Sequence, residues 1–104
     1  MNSTITDVLI AETVRIEHPE SSYGVFCFNS MGDLFVNSDW GFFGYAWRAY
    51  SGTFKQFLAQ TNSDYIVGKF EINYREVANK KMPLHKIVHL RNLVDGLIEH
   101  CKNS

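Results

Sequence analysis

From Val8 to Glu17 the side chains alternate, with Val14 and Ile16 on one phase and Thr13, Arg15 and Glu17 on the other. That period of two is the mark of a strand with one wet face. His18-Pro19 ends it, since the residue before a proline is held away from helical backbone. Tyr23 to Asn29 is a second, more continuously apolar strand through Val25, Phe26, Cys27 and Phe28, and Ser30-Met31-Gly32-Asp33 after it suits a hairpin. Leu34-Phe35-Val36-Asn37 reads as the third strand. Ser38-Asp39 and Gly41 then interrupt the pattern with a tight turn or bulge before a fourth strand, Phe42 to Tyr50. In that fourth strand Phe43, Tyr45 and Trp47 share one face, and Phe42, Gly44, Ala46 and Arg48 share the other. Either the aromatic face is the wall of a small core, or the small face lets another backbone come close.

The period changes after Tyr50. Thr53-Phe54-Lys55-Gln56 has the form of a capping box, and Phe54, Phe57 and Leu58 follow at helical spacing as one apolar stripe. Thr61-Asn62-Ser63-Asp64 ends that short helix and offers a cap to the next segment. Residues 64–72 fit either a helix or a strand, because Ile66, Val67 and Gly68 suit both, and helix is the preferred reading. Pro83 suits the first turn of a last, long helix. Its apolar side holds Leu84, Ile87, Val88, Leu90, Val94, Leu97, Ile98 and Cys101, and its polar side holds His85, His89, Asn92, Gly96 and Glu99. The expected architecture is α+β: an antiparallel meander of three or four strands, with the helices packed on one face, in one domain spanning residues 1–104. The broad apolar side of the last helix, or an open sheet edge, would allow a homodimer.

Composition narrows the class. In 104 residues, 45% are hydrophobic and 20% charged, which is a globular balance. No apolar run approaches the roughly 20 residues that span a bilayer. The segment Met1-Asn2-Ser3-Thr4 has neither the basic start nor the apolar stretch of a secretory signal, so a soluble, cytoplasmic protein is expected. Cys27 and Cys101 are far apart and without Cys-x-x-Cys spacing, so both read as reduced thiols acting as small hydrophobes. Net charge is −1, but residues 1–50 hold six acids against two arginines, and residues 51–104 hold eight bases against five acids. The basic surplus is concentrated in Arg75, Lys80, Lys81, Lys86 and Arg91, with His85 and His89 among them. Of these, Lys80, Lys81, Lys86 and Arg91 are the candidate contacts for an anion or a nucleic acid.

Six of the fifteen aromatic residues lie between Ser38 and Tyr50, including both tryptophans. Asp39, Trp40, Tyr45, Trp47, Arg48 and Tyr50 are therefore the candidate binding residues, since Tyr and Trp anchor interfaces. Asp39 also suits a role in fixing the Trp-Gly turn. His85 and His89 have the spacing that lets two imidazoles meet one ion, but nothing nearby completes a ligand set, and no metal is expected. A P-loop, a nucleophile elbow and a Cys-His-Asn pattern are all missing from the sequence. The reading is thus of a protein without catalytic residues or cofactors.

Three elements together resemble a pattern found in small proteins of tailed bacteriophages and prophages. They are Ser38-Asp39-Trp40-Gly41 with alternating aromatics to Trp47, then Phe54-Lys55-Gln56-Phe57-Leu58, then Asp64-Tyr65-Ile66-Val67-Gly68-Lys69. The resemblance covers residues 38–69, with Trp40 standing where tyrosine is the commoner aromatic. It implies an origin rather than a reaction. A phage accessory protein of this kind would bind a host protein or complex in the bacterial cytoplasm, such as a CRISPR effector or another defence component, with nucleic acid as the alternative partner.

Overall fold

The computed structural model describes residues 2–103. Four strands, β1 (Ala11–His18), β2 (Ser22–Asn29), β3 (Asp33–Ser38) and β4 (Gly41–Ala46), form one antiparallel sheet in the order β1-β2-β3-β4. Three helices follow: α1 (Phe54–Ala59), α2 (Ser63–Ala78) and α3 (Leu84–Lys102). All pack on one face of the sheet, with α3 across β1 and β2, α2 along β4, and α1 against α3. The architecture is the α+β meander the periodicity predicts.

Each turn has a local cause. Between β2 and β3 the Asn29 side chain accepts from the amides of Met31 and Asp33, and Gly32, at φ +93°, presents its carbonyl to the Trp47 amide at 2.8 Å. A Cβ on Gly32 would lie 2.0 Å from the Trp47 carbonyl oxygen, so only glycine lets the two backbones meet. Asp39-Trp40 is a two-residue turn, and Gly41 after it adopts φ +126°.

Helix starts follow the residues expected to make them. Thr53 Oγ1 accepts from the Gln56 amide while Gln56 Oε1 accepts from the Thr53 amide, a complete capping box. Asn62 caps α2 by accepting from the Tyr65 amide, which resolves residues 64–72 as helix. Asn79 ends α2 in the left-handed conformation, φ 55°. Pro83 stands at the cap of α3 rather than inside its first turn.

Three differences from the sequence reading have physical reasons. The fourth strand stops at Ala46 rather than Tyr50, because its partner Asp33 is the first residue of β3, and beyond it the chain turns at Gly32, which gives Trp47 a single backbone hydrogen bond but no further strand to pair with. The first strand starts at Ala11 rather than Val8, because Ala11 faces Asn29, the last residue of β2. Gly96 faces the sheet instead of water. It sits over β1, where a Cβ would come within 2.5 Å of Ile16 Cγ2, so the missing side chain sets how closely α3 approaches the sheet.

The core lies between sheet and helices. Phe26, Phe28, Leu34, Val36 and Phe43 from the strands meet Leu58, Ile66, Phe70, Leu90, Leu93, Val94 and Leu97 from the helices, all buried. Leu93 joins the apolar stripe of α3, whereas Leu84 and Val88 at its start stay exposed.

Candidate binding surface

The rings of β4 divide between two faces of the sheet. Phe43 and Trp47 point to the helices and are buried, and Tyr45 is half-buried beside them. The Trp47 ring lies 5.7 Å from Phe54 and 6.0 Å from Phe57, and its Nε1 donates to the Tyr65 hydroxyl at 3.0 Å. Tyr50 packs 5.2 Å from Phe54 and donates its hydroxyl to the Ser30 carbonyl. These rings are the core's wall. Arg48, outside the strand, donates to Asp33 at 2.8 Å and to the Met31 carbonyl at 2.9 Å, bracing the β2–β3 turn. Hydrogen bonds from Asn29, and then from Arg48, hold the Asp33 carboxyl below its ordinary range.

Asp39 and Trp40 belong to a polar latch at one end of the sheet. Ser21, fully buried in the β1–β2 turn, accepts from Trp40 Nε1 through its carbonyl at 2.9 Å. Its hydroxyl oxygen accepts from Asn92 Nδ2 at 2.8 Å and lies 2.9 Å from His89 Nδ1, both on α3. Trp40 stacks flat on His89, centroids 3.8 Å apart and planes 7° from parallel, with His85 at its edge. The Asp39 carboxylate accepts from the Ser22 hydroxyl. Two hairpin turns and α3 are thereby fastened at one point, and the histidine pair meets a tryptophan. Among the described residues no group of three or more His, Cys, Asp or Glu side chains is placed to hold a metal ion.

Among the described residues no helix packs on the opposite face of the sheet. Its side chains run in rows across the strands, and the register sets the rows: Thr13, Cys27, Phe35 and Gly44 form one, and Arg15, Val25, Asn37 and Phe42 the next. A sheet facing water ordinarily alternates apolar in and polar out. Here the centre of the outward face is apolar, and Phe42 and Phe35 are 79% and 51% exposed. The two rings are diagonal neighbours on β3 and β4, since Phe42 faces Asn37 and Phe35 faces Gly44. Gly44 leaves bare backbone beside Phe35. Charges rim the patch toward β1, where Arg15 pairs with Glu17 at 2.8 Å and lies 4.2 Å above the Tyr23 ring.

A family model described as a phage family matches residues 5–95, nearly the whole chain. The chain belongs to this phage family. Neither a curated protein nor a solved structure matches it.

In this phage-family protein the outward rings Phe35 and Phe42 were not among the residues singled out from sequence, which favoured the inward phase of β4. The signal was nonetheless present, because Phe35 lies between Leu34 and Val36 on the phase that should be polar. The basic residues separate into two settings. Lys80 and Lys81 are exposed in the α2–α3 connection, with Arg75 in the last turn of α2 and Lys86 Nζ 5.9 Å over the Tyr74 ring. Arg91 instead pairs with Asp64 at 2.7 Å.

One further cluster joins α1 and α3 to β1. The Glu12 carboxylate accepts from Lys55 Nζ at 2.9 and 3.1 Å and meets His100 Nε2, at the end of a cleft of about 530 Å³ walled by Phe28, Tyr50 and Phe54. Those bonds, from His100 first and Lys55 second, hold the Glu12 carboxyl below its ordinary value. Burial pushes the neighbouring Cys101 thiol up to about 11, which keeps it protonated and unreactive. No helix among the described residues is long and apolar enough to cross a membrane.

Proposed function

We propose that this phage-encoded protein is a binding module that docks on a host protein through the uncovered face of its sheet, with Phe42 and Phe35 as anchors. The observation that carries the reading is the exposure of those two rings, 79% and 51%, diagonally adjacent on β3 and the edge strand β4 of the uncovered face. Leaving large aromatic side chains in water has a cost that a protein-free surface would not repay. A sheet face with aromatic anchors, bare backbone at Gly44 and a charged rim has the composition of a protein interface.

The reading is of a binder rather than an enzyme, because the polar groups that might react are engaged in holding the fold. Ser21 is buried under Trp40, Glu12 is tied to Lys55 and His100, and Asp33 to Arg48. A component of a host defence system, such as a CRISPR effector, is the target class in which a phage protein would act by binding alone. The exposed Lys80 and Lys81 beside Arg75 and Lys86 support a second reading, contact with nucleic acid, whose affinity would fall steeply with salt.

Affinity capture from host lysate with the tagged chain separates the two. A host protein is expected to be retained by the wild type and by Lys80→Glu/Lys81→Glu, and released at least about 30-fold more readily by Phe42→Asp/Phe35→Thr. Retention indifferent to the phenylalanines would overturn the proposal.

A further inference from the structure

Residues 2–10 precede β1 without joining any helix or strand, and all are exposed. Yet the segment Thr4-Ile5-Thr6-Asp7-Val8-Leu9-Ile10 is rich in β-branched residues, and Ile5, Val8 and Ile10 are 86%, 84% and 86% exposed. This arm lies within the family match from residue 5 onward. Beside it, β1 ends the strand order, with no strand among the described residues on its outer side, while Val14 and Ile16 at that edge are only half-buried. An apolar arm and an open edge of matching length are therefore joined in one chain.

We infer that the arm pairs antiparallel with β1 of a second copy, about a two-fold axis perpendicular to the sheet at Ala11. Charge and face select this register. A two-fold that keeps the helices of both copies on the same side must place inward residues opposite inward residues, so the axis passes through a residue, not between two. With the axis at Ala11, Val8 lies opposite Val14 and Thr6 opposite Ile16, all on the helix-facing side. Asp7, the arm's only charge, then lies opposite Arg15, twice by symmetry. With the axis one residue later, at Glu12, that glutamate would oppose its own copy and Asp7 would oppose Glu17. The pairing closes on itself, joins two sheets into one of eight strands, and leaves the Phe35–Phe42 face of both copies uncovered, so it is independent of the docking proposal.

Sedimentation equilibrium over a wide concentration range tests this, with far-UV circular dichroism confirming that each variant is folded. The wild type is expected to dimerise. Asp7→Arg or Arg15→Asp alone should weaken the dimer about tenfold, and the two together should restore it, because the opposed charges are then exchanged. Removal of residues 2–8 should give a monomer. A wild type that stays monomeric throughout, or a dimer that survives loss of the arm and ignores both charge changes, would overturn the inference.

Discussion

Gly68 and Gly96 both sit inside helices, yet a methyl group should act on them with opposite sign. At Gly68, in α2, an added Cβ meets nothing within 4 Å, so Gly68→Ala removes only the backbone freedom of the unfolded chain. It should raise stability by about 0.5–1 kcal/mol. At Gly96 the same Cβ would lie 2.5 Å from Ile16 Cγ2, a β-branched atom with little room to turn. Overpacking of roughly 1–3 kcal/mol then exceeds the helix-propensity gain of about 1, and Gly96→Ala should lower the midpoint of urea unfolding. Ser21 is a third residue-scale case. Ser21→Ala leaves Asn92 without its buried acceptor and His89 without its partner, and should lower stability by about 1–3 kcal/mol in the same measurement.

At the scale of elements, the Glu12 cluster ties β1 to α1 and α3 through Lys55 and His100. The folded carboxyl titrates below its ordinary value of 4.5, so its contribution is complete above that pH and is lost as the pH falls through the folded value. Asp33, held down by Asn29 and Arg48, acts in the same direction from 3.8. Both side chains are more than a third exposed, so solvent keeps each effect modest. Thermal melts should show stability falling below about pH 4.5, with a shallower fall for Glu12→Gln and a shallower one still when Asp33→Asn is added. The elements themselves were legible in sequence wherever period and caps agreed. The box at Thr53 and Gln56, the cap at Asn62 and the alternation of β4 each carried their own signal. Strand ends were not legible, because Ala11 and Ala46 stop where a partner strand stops, and that is a property of pairing rather than of either segment.

Across the whole molecule, one face of the sheet is closed by helices and the other is open, and this asymmetry divides the aromatic block. Trp47 and Phe43 fill the closed side, while Phe42 stands on the open one. Alternation showed that these rings lie on different faces. It does not show which face the helices cover, and the candidate binding residues it suggests include Tyr45 and Trp47 but neither Phe35 nor Phe42, which stands on the face read as mostly small. The latch was hidden for a similar reason. Ser21, Trp40 and His89 are distant in sequence and meet only when two hairpin turns and α3 converge. Hydroxyl-radical footprinting, read ring by ring with and without the captured host protein, tests the open face most directly. Phe42 and Phe35 should be oxidised rapidly in the free protein and shielded in the complex, with Trp47 and Phe43 slow in both. Slow oxidation of Phe42 and Phe35 in the free chain, or labelling unchanged by the partner, would contradict the account.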